Sequence, residues 1–218
     1  VKGLDMDKTQ GFIYGAVLDN RGSAEETTEP FGAIWQTNDS LVWFQLDYTD
    51  EATTDWLHRT SGLSDLTIQI LTSEDTRPRS LPADQGLVIC LRGVNCNPGE
   101  DPDDMVSLRL WIGKNRLITM RHRRVEAIND IRSALGQGSG PKDIGDFLVF
   151  LCARLTDRMT DVIGEINDRV DALEDEILEK ERSGLRAELS QIRRMIIGLR
   201  RFLVPQREVL SRLQNERT

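Results

Sequence analysis

Residues 143–182 read DIGDFLVFLCARLTDRMTDVIGEINDRVDALEDEILEKER. Apolar side chains fall at 148, 151, 155, 159, 162, 166, 170, 173 and 177. Those intervals of three and four, held for about five heptads without a proline, predict a single amphipathic helix. At ~1.5 Å per residue it would be about 60 Å long. Ser183-Gly184 predicts a break. Leu185, Leu189, Ile192, Ile196, Leu199, Leu203, Leu210 and Leu213 then mark a second long helix over 184–216. Pro205 lies inside it and predicts a bend, because proline removes a backbone donor and crowds the carbonyl one turn back. Residues 143–182 carry 12 acidic and 5 basic side chains, net −7, and residues 183–218 carry 3 and 8, net +5. Two apolar stripes on arms of opposite charge predict an antiparallel helical hairpin.

Upstream the pattern changes period. Gly11–Asp19, Leu41–Tyr48, Gly86–Val94, Met105–Gly113 and Leu117–His122 are short apolar or alternating runs bounded by turn residues, so they predict strands. The polar stretch between the first two holds a minor strand at most. Gly113-Lys114-Asn115-Arg116 is short enough to close a hairpin. Asp50 predicts an N-cap for a short helix through Trp56 and Leu57, and Ser64–Leu71 predicts another. Val125, Ile128, Ile131 and Leu135 define an amphipathic helix over Arg124–Leu135, ended by the Gly-rich run 136–140. The expected organisation is an α/β domain over 1–142, with the hairpin over 143–218 packed on it as one structural unit.

Composition narrows the function. The 218 residues are 39% hydrophobic and 29% charged, which suits a chain with a real core. A net charge of −8 argues against nucleic acid as the main partner, since phosphate binding needs an excess of Lys and Arg. No run approaches the ~18 apolar residues of a spanning helix, and no leader opens the sequence, so a soluble, cytosolic chain is expected. Cys90, Cys96 and Cys152, with no C-x-x-C pair, predict a reducing compartment.

Candidate chemistry is sparse. The two histidines, His58 and His122, lack a nearby nucleophile motif such as G-x-S-x-G and read as surface or strand-end residues. Cys90 and Cys96 are spaced unlike structural zinc ligands. The run 136–140 lacks a phosphate-loop pattern and is followed by Asp143 and Asp146, so it reads as a flexible link with Pro141 in the first helical turn. Asp157, Asp161, Glu165 and Asp168, at intervals of four, four and three, form one carboxylate stripe. Such a stripe could hold hydrated divalent cations weakly, as hard cations prefer carboxylate oxygen; equally, it could be a solvated face partly paired with the basic second helix. No catalytic constellation and no cofactor are expected, so the chain is read as a non-enzyme.

Several stretches, in order, resemble the cytoplasmic domain of the CorA superfamily of divalent-cation transporters, and most nearly its ZntB-type zinc branch. They are Leu41–Trp56 (LVWFQLDYTDEATTDW), Glu74–Arg79 (EDTRPR), Gly86–Arg92 (GLVICLR), Arg116–Arg124 (RLITMRHRR), Gly138–Leu155 (GSGPKDIGDFLVFLCARL) and Ile192–Leu210, with Arg193-Arg194, Pro205, Gln206 and Arg207. The resemblance implies an α/β fold in which a mixed β-sheet is sandwiched between helices, followed by the long antiparallel hairpin. It also implies a homo-oligomer, a pentamer forming a funnel over a pore. The third long helix and the two membrane spans of the family are expected to be missing from this sequence, which would attach the domain to the bacterial inner membrane from its cytoplasmic side.

The expected function is therefore the cytoplasmic funnel and regulatory domain of a CorA-like transporter of divalent cations, zinc by branch. A magnesium or cobalt transporter of the same superfamily, a helical-hairpin interaction protein without a transport role, and a small-molecule enzyme using the α/β domain are the alternatives.

Overall fold

A computed structural model describes residues 11–27, 29–37, 39–74, 77–179 and 184–215. The strands are β1 (Phe12–Leu18), β2 (Ala24–Glu26), β3 (Val42–Asp47), β4 (Arg79–Ala83), β5 (Gly86–Gly93), β6 (Val106–Ile112) and β7 (Arg116–Arg121). The helices are α1 (Ile34–Thr37), α2 (Glu51–Arg59), α3 (Asp65–Thr72), α4 (Glu126–Gly136), α5 (Ile144–Glu179) and α6 (Leu185–Asn215).

The seven strands form one mixed sheet in the order β2-β1-β3-β7-β6-β5-β4. All pairings are antiparallel except β3 with β7. The parallel pair lies near the middle, and every residue of β3 is buried, as expected for a strand covered on both faces. Both sheet edges are unattractive templates for another strand. At one edge β2 is three residues long with exposed Glu25 and Glu26, and at the other β4 carries Pro82.

Strand alternation sorts the core into two layers. Trp43, Ile89, Leu91, Leu108, Leu110 and Leu117 face α4, α5 and α6. Phe44, Leu46, Val88, Cys90, Ile118 and Met120 face α1, α2 and α3. The second layer is rich in aromatics, with Trp35 5.3 Å from both Phe44 and Trp56. The expected mixed sheet between helices is therefore the fold. Five strands lie where the apolar runs placed them; β4 and the one-turn α1 were not expected.

Helix ends follow local chemistry. Asp50 caps α2 by accepting from the Ala52 amide, and Ser64 caps α3 by accepting from the Thr67 amide. At α5 the cap is Asp143, which accepts from the Asp146 amide at 2.8 Å. Pro141 therefore stands ahead of the helix, not in its first turn. The Gly-rich run before it is docked: the Gly140 amide donates to the Gly22 carbonyl at 2.8 Å. Gly22 has φ +108°, and a Cβ there would approach the Gly138 carbonyl oxygen to 2.9 Å, so this close crossing requires glycine.

The hairpin is antiparallel. Gln206 of α6 lies 3.8 Å from the Met159 sulfur of α5, and Glu188 lies 3.9 Å from Arg169. Leu155, Met159, Ile166 and Leu173 of α5 and Ile192, Leu199 and Val209 of α6 join the same buried cluster as the sheet. Helix α6 continues through Pro205. The expected break at Ser183 and the end of the first arm lie outside the described residues.

Candidate functional site

The carboxylate stripe sits on a helix held from three sides. Arg158 of α5 pairs with Asp130 of α4 at 2.6 Å, fixing the two helices side by side. Phe147 and Leu151 are fully buried beneath the sheet, with the Phe147 ring 4.9 Å from Trp43. On the third side α6 closes the hairpin. With its apolar stripe committed inward, α5 leaves Asp157, Asp161, Glu165 and Asp168 exposed to solvent.

These four carboxylates share a helix face but do not converge. Asp157 is 3.4 Å from Arg154 on its own helix. Asp161 contributes to the electrostatic surroundings of Cys96, together with Arg158, Glu126 and Asp130. Among the described residues, no three His, Cys, Asp or Glu side chains come together in a way that could hold a metal ion. The arrangement can attract cations as a charged surface, without a chelating cage.

Burial disfavours the thiolate, the form that a metal or an electrophile takes, at all three cysteines. Burial raises the Cys90 thiol above its ordinary range and pushes Cys152 up to about 11. Cys96 is raised too, first by desolvation, with Arg158 pulling the other way.

Neither histidine heads a catalytic relay. His58 Nδ1 is 3.1 Å from Asp65 at the start of α3. His122 Nδ1 lies 3.0 Å from Thr49 Oγ1 and 3.4 Å from Asp47 Oδ1. A relay needs the acid on one ring nitrogen and the nucleophile on the other, and here both partners meet the same atom. An open groove of about 820 Å³ runs between the β4–β5 turn, the β6–β7 turn and the start of α5; its lining includes Leu87, Ile112, Lys114, Ile144 and Leu148.

Two features that spacing did not reveal set the positions of α6 and α3. The buried Gln206 amide bonds both backbone groups of Arg92 on β5, and the Arg92 guanidinium lies 4.6 Å over the Phe202 ring. On the opposite face of the sheet, the fully buried Arg109 donates to the carbonyls of Leu71 and Ser73 at the end of α3 and covers the Tyr48 ring at 3.4 Å. A cation on helix-end carbonyls offsets the negative end of the α3 dipole. An arginine in an apolar strand is the sequence signal for the second; for the first, Gln206 stands in the Pro205-Gln206-Arg207 run of the resemblance, with no role attached to it.

Charge is distributed differently from the sequence expectation. The oppositely charged arms do pack together, yet the ion pair joining them among the described residues is Arg169 with Glu188, a base on the acidic arm and an acid on the basic one. The surplus acids of α5 and the surplus arginines of α6 face outward. Among the described residues, no helix is long and apolar enough to cross a membrane.

Residues 38–218 match a family model described as CorA-like Mg2+ transporter protein. The chain is 37% identical over 207 residues to the divalent cation transporter CmaX of Pseudomonas aeruginosa, covering 94% of this chain and 62% of the relative. It is 34% identical over 217 residues to the zinc transport protein ZntB of Klebsiella pneumoniae, covering 100% of this chain and 65% of the relative. The chain thus spans less than two thirds of the length of either. Among solved structures, full-length CmaX superposes with a TM-score of 0.87 at 35% identity, over 95% of this chain and 64% of that one. The ZntB cytoplasmic domain of Vibrio parahaemolyticus superposes with a TM-score of 0.80 at 21% identity, over 94% and 80%, and shares the fold.

Proposed function

The chain belongs to the CorA-like Mg2+ transporter family, and from that premise we propose that it is the cytoplasmic funnel and regulatory domain of a divalent-cation transporter that carries zinc. The observation that carries this reading is the likeness to full-length CmaX, which extends over 95% of the chain, sheet and hairpin together. The named zinc transport relative, similar along the whole chain, supports zinc as the ion. Magnesium is the second reading, favoured by the description of the family model.

In this reading residues 1–142 and 143–218 form two parts of one structural unit, and the domain does no covalent chemistry of its own. Divalent cations are cargo. The transporter sits in the bacterial inner membrane as a homo-oligomer, a pentamer, with this domain on the cytoplasmic side. Asp157, Asp161, Glu165 and Asp168 contribute diffuse negative potential that raises the local cation concentration. The four acids are exposed, so salt weakens that attraction within a Debye length of about 8 Å at physiological ionic strength.

The test is the metal content of cells expressing the membrane protein that carries this domain, measured by mass spectrometry after exposure to zinc, magnesium or cobalt. A change confined to zinc supports the assignment. A change in magnesium alone moves the domain to the second reading, and unchanged contents of all three metals contradict the transport role.

A further inference from the structure

Both arms of the hairpin are weakened at one level, just past the point where they leave the sheet. Helix α5 has 36 residues and β5 has eight, about 54 Å against about 26 Å, so the helix overhangs the strand. The strand ends at Gly93 under Leu155, where an added Cβ would meet Leu155 Cδ2 at 3.0 Å. One turn further on, Gln206 ties α6 to the Arg92 backbone and lies 3.8 Å from the Met159 sulfur.

Five residues outward from Met159 stands Gly164. Five outward from Gln206 stands Arg201, whose carbonyl has no helical donor because residue 205 is proline. Both intervals are measured from the same contact, so the two weak turns, 160–164 and 201–205, stand level about 7 Å beyond it.

Gly164 has no packing reason to be glycine. A Cβ there would meet nothing within 4 Å, so alanine would fit and make the better helix. Gly198 differs, because a Cβ there would come within 3.1 Å of Asp103 Oδ2 on the loop between β5 and β6. Proline, and glycine with no side chain to brace the turn, are where helices bend.

We propose that these two turns form a joint on which the outer limb of the hairpin, residues 165–179 and 185–200, swings as one body relative to the sheet. The limb is held together across its seam. Ile166, Leu173, Ile192 and Leu199 are each at most 5% exposed, and Arg169 lies 3.9 Å from Glu188. The base is fixed as well: Phe147 and Leu151 are fully buried, and Arg158 pairs with Asp130 of α4 at 2.6 Å. A joint between two firm bodies lets the limb change its angle without parting α5 from α6 or lifting either from the sheet.

The joint is also open to control. Pro205 lines the groove on the outer face of α6 with Ile197, Arg201 and Val204. Whatever occupies that groove, the expected third long helix included, bears on the weak turn itself, so its seating governs the angle of the limb.

Spin-label distances test the joint. With Cys96 and Cys152 replaced by serine and Cys90 buried, nitroxides are placed at exposed positions. One pair uses Asp55→Cys on α2 with Glu174→Cys on the limb, and the other uses Asp55→Cys with Arg212→Cys on the base. Pulsed dipolar spectroscopy should give the limb pair a distance distribution at least about twice as wide as the base pair. Adding Gly164→Ala and Pro205→Ala should narrow the limb pair to the width of the base pair, since each restores an ordinary helical turn. A helical signal no smaller than that of the unaltered chain verifies the fold of each variant.

Equal widths for the two pairs before stiffening overturn the proposal. So does a wide limb distribution that the two alanines leave unchanged. Amide exchange in the limb as fast as at 160–164 also overturns it, because the limb would then be fraying instead of swinging whole.

Discussion

The side chain of Gln206 pairs with the backbone of Arg92 as a neighbouring strand would. The Arg92 amide donates to Gln206 Oε1 at 2.6 Å, and Gln206 Nε2 donates to the Arg92 carbonyl at 3.0 Å. Strand β4 pairs with β5 as far as Cys90, and Arg92 lies beyond that pairing on the same edge of β5. Helix α6 closes that edge with one amide, and the same residue joins the sheet to the Met159 side of the hairpin.

Gln206→Ala should therefore cost about 2–3 kcal/mol, because it leaves a donor and an acceptor without partners in a buried place. Denaturant unfolding should show a lower midpoint with little change in slope. An unchanged midpoint would mean that α6 is held by its apolar contacts alone.

Ile166 tests the seam between the long helices. It is 5% exposed, within the cluster that contains Ile192 and Leu199. Ile166→Asp should cost of order 3 kcal/mol by burying a charge without a partner. A melting temperature equal to that of the unaltered chain would contradict the packing.

Arg109 has no substitute of similar shape. Its guanidinium forks onto the Leu71 and Ser73 carbonyls while stacking on Tyr48. Lysine keeps the charge but neither the fork nor the planar stack. Arg109→Lys should lower stability by about 2 kcal/mol or more, and hydrogen exchange should report the loss first at the end of α3. Uniform loss across the sheet would contradict a local capping role.

The loop between β5 and β6 should respond to acid. Arg123 holds Asp104 at 2.6 Å and Glu100 at 2.7 Å. Asp104 is kept below the usual carboxylate range by the Arg123 hydrogen bond, and Glu100 first by the Asn95 amide and then by Arg123. Depressed carboxyls stabilise the fold above their unfolded pKa of about 4, and the effect is lost as pH falls through the folded values. The stability difference between the unaltered chain and Arg123→Ala should be constant near neutrality and shrink below about pH 4. A difference independent of pH would contradict the ion pairing.

Much of the fold was legible because burial writes periodicity into sequence. The 3.6-residue stripe of α5 and the short apolar runs of β1, β3, β5, β6 and β7 each report which side faces the core. Strand β4, RSLPA, escaped because an edge strand with Pro82 has no full apolar face to display. The hairpin was anticipated for a reason that proved incomplete. Net charge suggested that acids and bases meet across the seam, whereas apolar residues fill it and most of the charge points outward. The roles of Gln206 and Arg109 depend on backbone groups 114 and 36–38 residues away in the chain, a separation no local pattern encodes.

The carboxylate stripe leads to a prediction about metal. Calorimetry should find weak binding of zinc and magnesium to similar extents, falling with added salt, because Asp157, Asp161, Glu165 and Asp168 do not converge. A single submicromolar zinc site that ignores salt and disappears with Cys96→Ser or His122→Ala would contradict this by showing soft ligands assembled around one ion.

Ion flux is the most direct measurement of the central claim. If the proposed function holds, proteoliposomes holding the longer membrane protein of which this chain would be a domain should accumulate zinc faster than empty liposomes. Gln206→Ala, which loosens α6 from the sheet without touching a membrane segment, should change that rate. Zinc, magnesium and cobalt all moving no faster than through empty liposomes would contradict the account.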